Sequence, residues 1–245
     1  MTEKEIKARY KFAVLGFLWI VLNPLLQMIV MGFVFQFFVP VKVDNYFLFL
    51  FVGLLPWNFF SMTVSKNTPM ILNERSLIQK AKFPREAIIL SIVLSNLFHF
   101  LIALGLLMVA LLGDKVIEGY SILNLFEYGL RMFWLFPLII WLTLLTSGLS
   151  LLFSALNVKY RDVNFMVQAI MPLWFYATPI VYTLKLLPEK LHFLFYLNPM
   201  TAIIEYFQLV LLNLEPVSYY FGFISTLVSI AVVLIGWFYF KRESK

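Results

Sequence analysis

Six stretches of the chain, 17–38, 45–65, 87–113, 132–156, 163–184 and 217–240, contain no Asp, Glu, Lys or Arg. Each is long enough for a helix to cross the hydrocarbon core of a bilayer, which takes about 20 mostly apolar residues at a rise of about 1.5 Å each. Six such runs in 245 residues leave little chain for anything else. Hydrophobic residues make up 62% of the sequence and charged ones 13%, against about 25% charged in soluble domains, so a water-facing fold would have no polar surface to show. The expected fold is an all-α integral membrane protein with six transmembrane helices, forming a single transmembrane domain over 1–245.

Proline interrupts four of these stretches, at Pro24, Pro56, Pro137, Pro172 and Pro179. Membrane helices tolerate it where neighbours satisfy the freed carbonyls, so kinks are expected there. A further apolar stretch, 191–214, is broken by Asn198-Pro199 into pieces each too short to span. Lysine and arginine decide how to read it. With six spans and both termini cytoplasmic, only Lys42, Lys115, Arg131, Lys185 and Lys190 of the 19 basic residues lie outside; a seventh span would add Lys241, Arg242 and Lys245. The positive-inside bias favours six spans, with short re-entrant helices over about 187–213 between spans five and six. Such backbone is viable where protein or a water-filled cavity surrounds it. The same bias accounts for the net charge of +6 without a nucleic-acid partner. The polar start of the chain predicts no cleaved signal peptide.

Between the spans, three segments carry information. Thr2-Glu3-Lys4-Glu5 is a capping box, and Ile6, Tyr10, Ala13 and Phe17 follow at helical spacing, which predicts an amphipathic helix lying on the inner leaflet. In the loop 65–86, Thr68-Pro69 reads as a helix start, capping residue then proline. Asn73 reads as the start of a second short helix, in which Leu77, Ile78 and Ala81 form an apolar edge among Glu74, Arg75, Lys80 and Lys82. Such a helix lies on lipid or docks in a protein groove; spacing does not choose between them. Tyr160-Arg161-Asp162 marks another cytoplasmic turn, where Asp162 can favour a helix start or the group simply anchors topology.

The chain holds 27 Phe, 12 Tyr and 6 Trp. Most fit interface belts and lipid-facing surface. A sharper reading is a pathway lined by aromatic faces, and its candidates are Trp57, Phe59 and Phe60 with Trp174, Phe175, Tyr176 and Tyr182. Other chemistries find little support. Zero cysteines rule out disulfides, Cys-ligated zinc and iron–sulfur clusters. No G-x-x-x-x-G-K-[ST] occurs, so any ATP is used by another chain. A charge within a span marks an ion or proton path, and the six spans have none; Glu205 in the re-entrant region is the nearest exception. His99 and His192 stand alone, and a lone histidine among apolar residues is most often simply packed. A membrane-embedded enzyme acting on lipid-linked sugars would need an acid or histidine pair at one interface, and the sequence offers none.

The strings RYKFAVLGFLWIVLNPLL (9–26), GLLPWNFFS (53–61), KFPRE (82–86), NVKYRD (157–162), TPIVYTL (178–184) and YLNPM (196–200) occur in that order. Together they resemble the membrane (permease) subunits of bacterial ABC exporters for surface polysaccharides, of the O-antigen and wall teichoic acid type. The resemblance covers nearly the whole chain. It implies a homodimer with two copies of a cytoplasmic ABC ATPase, ATP and Mg held on that partner and no cofactor in this chain. It further implies a lipid-linked glycan as cargo, a channel lined partly by aromatic residues, and a bacterial plasma-membrane location. The coupling helix that docks in the ATPase then falls at about 73–83, with Asn73, Glu74, Arg75, Leu77, Ile78, Lys80 and Phe83 as its contacts. An exporter of lipids or drugs would share the same helix pattern.

Overall fold

A computed structural model describes residues 19–38, 45–75, 84–117 and 119–243. All regular structure among them is helical: α1 (Trp19–Phe38), α2 (Tyr46–Asn67), α3 (Met70–Asn73), α4 (Arg85–Ile117), α5 (Ile122–Met132), α6 (Leu135–Lys159), α7 (Asp162–Tyr176), α8 (Glu189–Tyr196), α9 (Pro199–Leu212) and α10 (Tyr219–Glu243), with a 3-10 turn at Leu184–Leu186. The amino-terminal amphipathic segment and residues Leu77, Ile78, Lys80 and Phe83 lie outside the described residues.

Among the described residues, four helices are long and apolar enough to cross a bilayer, α2, α4, α6 (taken together with α5) and α10, and the bent pair α8–α9 would make a fifth if it were one span. The fifth stretch gives a shorter helix than expected. Helix α1 takes in all 20 described residues of the first stretch, about 30 Å, whereas the 15 residues of α7 extend about 22 Å. Stretch 163–184 is helical only to Tyr176, because Pro179 disfavours α geometry in Thr178 before it. The Thr178 hydroxyl turns back to the Trp174 carbonyl (2.8 Å), and the chain runs on through turns.

Helix α2 is the centre of the bundle. Fifteen of its residues are buried, including every one from Phe49 to Trp57, as befits a helix that is apolar all round there. It packs against α1, α4, α6 and α9. Its polar ties include the Tyr46 hydroxyl, which donates to the Val181 carbonyl (2.7 Å), and Thr63, which accepts from Asn96 (3.0 Å).

The closest helix pair is α6 with α10. A methyl group added to Gly148 would meet Val233 Cα at 2.7 Å, and one on Gly236 would meet the Gly148 carbonyl oxygen at 2.1 Å. Small residues let membrane helices approach to backbone contact, where dispersion does the work that the hydrophobic effect does in water. Trp141 donates to Ser229 across the same seam (2.8 Å). The opposite side of α10 exposes Tyr220, Phe223, Ile235 and Phe238.

Helices α8 and α9 meet at 104°, at the Asn198-Pro199 break. Asn198 makes the bend. Its Oδ1 accepts from the Met200 amide (3.1 Å) and from Trp174 Nε1 (2.9 Å), while its Nδ2 donates to Thr178 (2.8 Å). Pro199 takes the first helical position, where no amide hydrogen is needed. Asn213 closes α9 with φ of 59°, a left-handed cap that asparagine tolerates better than most side chains.

Candidate functional site

A cleft of about 1060 Å³ lies among α1, α2, α4 and α7. Four of the seven aromatic residues singled out by sequence line it: Trp57, Phe59, Phe175 and Tyr176. Trp57 and Phe175 meet edge to face across α2 and α7, with ring centroids 5.6 Å apart, a favoured arrangement for rings with negative faces and positive edges. Tyr176 follows at 5.1 Å from Phe175 and is exposed at the rim.

The other three sit elsewhere. Phe60 is fully buried against Trp174, with centroids 5.2 Å apart, and ties α2 to α7 behind the cleft wall. Tyr182 donates to the Tyr176 carbonyl (2.9 Å) and packs on Phe195. These residues shape the wall rather than face the opening.

Between the rings the cleft carries carboxamides, which the sequence analysis did not single out: Asn23 and Gln27 of α1, Asn58 of α2, Asn96 of α4 and Gln168 of α7. Asn58 donates to Gln27 (2.8 Å), and Gln168 donates to Asn164 (3.3 Å). Asn23 and Gln27 are four residues apart, so they share a helix face, and that spacing is visible in the sequence. Among the described residues, no Asp, Glu, Lys or Arg lines the cleft. Carboxamides both donate and accept, and aromatic faces offer flat apolar surface. The combination suits a neutral ligand rich in hydroxyls and C–H faces, with no fixed charge for an ion to follow.

At the α2–α4 connection, Thr68 does not cap the helix that follows. Its hydroxyl donates back to the Val64 carbonyl (2.8 Å) and ends α2, so α3 starts at Met70, after Pro69, without a side-chain cap. Asn73 is the last residue of α3, rather than the first of a new helix; Glu74 turns, and Arg75 is helical again. Tyr160 ends α6, Arg161 precedes α7 without a capping side-chain bond, and Asp162 is its first residue. The start of α7 is held instead by Asn157 of α6, whose Oδ1 accepts from the Asn164 amide (3.1 Å). A cap supplied across a turn by the preceding helix leaves no local capping pattern.

The remaining polar residues noted in the sequence are separated. His99 lines the cleft. His192 Nε2 lies 3.0 Å and 3.1 Å from the Leu184 and Leu187 carbonyls and pins α8 to the preceding turn. Glu205 is buried on α9 and accepts the Tyr196 hydroxyl proton in a hydrogen bond.

The chain was compared with known proteins. The family model described as "ABC-2 type transporter" matches residues 1–212. An O-antigen export system permease protein RfbA of Klebsiella pneumoniae is 35% identical over 243 residues, covering 95% of this chain and 88% of the relative. A protein of the same description from Myxococcus xanthus is 33% identical over 214 residues, covering 85% of this chain and 77% of the relative.

Proposed function

The chain belongs to the ABC-2 type transporter family, and on that premise we propose that it is the transmembrane subunit of an ATP-driven exporter of a lipid-linked polysaccharide. It is a multi-pass integral protein of the bacterial plasma membrane. The observation that carries the cargo is the α1–α2–α4–α7 cleft. Its aromatic rings and carboxamides, with no Asp, Glu, Lys or Arg among the described lining residues, match a sugar chain, whose C–H faces stack on rings and whose hydroxyls exchange hydrogen bonds with amides. The relatives named for O-antigen export point to the same class of cargo.

In this reading the membrane is crossed six times, by α1, α2, α4, α6, α7 and α10, with both termini in the cytoplasm. The short helix α7 suits a side of the subunit that faces a second copy of itself and a polar path instead of lipid. The exposed apolar residues of α1 (Ile29, Val30, Phe33, Val34) and of α7 (Phe165, Met166, Ile170, Leu173) would meet that copy or the surrounding acyl chains. The α8–α9 hairpin caps the outer end. Two ABC ATPases bind from the cytoplasm, and the segment 73–83 docks in them as the coupling helix through Leu77, Ile78 and Phe83, flanked by Glu74, Arg75 and Lys80. ATP and Mg belong to that partner. Its closure moves the coupling helices, and the two permeases shift to open the path.

The test is co-purification with the ATPase together with surface-glycan display in a deletion strain complemented by variants. Wild type restores display; Leu77→Asp with Ile78→Asp leaves membrane insertion intact, abolishes display and weakens retention of the ATPase. Full display in that double variant would remove the assigned coupling segment. A deletion strain with normal surface glycan would remove the exporter reading itself.

A further inference from the structure

Helix α10 buries Gly222, Ser225, Ser229 and Gly236 along one side, and Phe240 is the one large side chain buried with them. Phe240 stands at the end of α10 that the proposed orientation puts in the cytoplasm. There it enters an apolar cluster with Ile89 of α4 and with Leu151 and Ala155 of α6. Met70 and Ile71 of α3 pack on the same cluster, which is separate from the main core.

Packing holds α3 more than hydrogen bonding does. The buried Asn67 amide before it makes no hydrogen bond among the described residues, the Thr68 hydroxyl turns back into α2, and α3 has no side-chain cap. Met70 and Ile71 are therefore the grip that α4, α6 and α10 have on the turn leading into segment 73–83. A close-packed apolar contact passes displacement on, because interiors shift between discrete arrangements rather than deform smoothly.

At its other end α10 holds α8. Ser225 Oγ donates to the Tyr196 carbonyl (2.5 Å), the Ser218 amide donates to the Tyr196 hydroxyl (3.3 Å), and the Phe221 ring packs on Tyr196 with centroids 5.4 Å apart. Helix α8 packs on α9 and α10. Between its two ends α10 runs 25 residues without a proline, about 37 Å, whereas α1, α2 and α7 each contain one. Proline is a common cause of sharp kinks, so α10 is suited to move as one piece. None of its described residues lines the main cleft. We propose that α10 is a strut that couples the α3 turn to α8, with Phe240 as its inner contact and Ser225 with Phe221 as its outer one. When the ATPase draws on segment 73–83, the displacement passes through Phe240 and along α10 to the outer arm of the hairpin, bypassing the cleft. Phe240 is a positioning residue that touches no cargo. The proposal rests on the reading of the chain as an ATP-driven exporter and adds the route by which the two faces of the membrane communicate.

The chain contains no cysteine, so Lys190→Cys, exposed near the start of α8, carries a single spin label per copy. Pulsed EPR on the full chain with its co-purified ATPase in nanodiscs reads the distance between the labels of the two copies, without nucleotide and with ATP plus vanadate. With Phe240 in place the distance should shift by about 2 Å or more on trapping. Phe240→Ala should lose the shift while the complex still hydrolyses ATP, and Phe240→Leu, which refills much of the cluster, should keep it. Ser225→Ala breaks only the outer contact and should shrink the shift with the inner cluster intact, which covers poor folding of Phe240→Ala. An unchanged shift in either alanine variant, or no shift with Phe240 in place, overturns the strut. Hydrolysis lost together with the shift also overturns it, since Phe240 would then belong to the ATPase dock. Failure of the exporter reading shows separately, as a chain that recovers no ATPase.

Discussion

At the scale of single residues, Asn198 does more than any other side chain to fix the hairpin. One carboxamide caps α9, anchors Trp174 and engages Thr178. Asn198→Ala should cost about 2–3 kcal/mol, a lost cap plus a stranded indole donor, read as a fall in thermal unfolding temperature in detergent. Asn198→Asp keeps the acceptor and should fall in between. Tyr176 tests the cleft from the other side. It is exposed at the rim, so Tyr176→Ala should change stability by less than about 1 kcal/mol while reducing surface-glycan display; unchanged display would remove it from the path. The bend at Asn198-Pro199 was legible because proline after a capping residue announces itself locally. The aromatic residues were legible only as groups. Sequence could mark 57–60 as rich in rings, but which ring faces the cleft depends on how α2 is turned against α7. Hence Trp57 and Phe59 reach it and Phe60 does not. The carboxamides were missed because one amide among apolar neighbours looks like tolerated noise until several helices bring five together.

At the scale of elements, the α6–α10 seam is the most sensitive. Gly236→Ala puts a methyl group onto the Gly148 backbone, and overpacking of this kind costs about 1–3 kcal/mol or more, so folded yield should drop sharply. Gly105→Ala and Gly113→Ala meet nothing within 4 Å and should be neutral or slightly stabilising in the same expression and melting assay. Helix α5 was not foreseen. Its segment carries Glu127 and Arg131, which lowered its apparent hydropathy, yet Leu123, Phe126 and Leu130 stand exposed at helical spacing. Its other side is held by the Tyr128 hydroxyl on the Leu211 carbonyl (2.6 Å) and by Arg131 on Asn213. That pattern fits a helix lying in the membrane interface. A tryptophan in place of Phe126 should be quenched by brominated lipids in reconstituted vesicles; no quenching would place α5 in water. The long central spans were legible from charge-free length alone, whereas the early end of α7 was not. It depends on a proline whose effect reaches back through Thr178, and a hydropathy window averages over such a stop.

At the scale of the whole molecule, none of the described residues lining the main cleft is an Asp, Glu, Lys or Arg, and a lone His99 is a poor basis for coupling to a transmembrane gradient. Export by reconstituted permease and ATPase should continue when a protonophore collapses the proton gradient and stop when ATP is withdrawn; loss of transport with the gradient alone would contradict the reading. The architecture also sets a problem of assembly. Helix α2, enclosed on every side over 49–57, is among the first to leave the ribosome, yet α6 and α9 that pack on it are synthesised much later. Until they arrive, its polar Thr63 and Asn67 face acyl chains or a chaperone, and contacts between segments so distant along the chain form slowly. A chain cut before residue 135 would thus strand its own keystone in lipid, a ready target for membrane quality-control proteases.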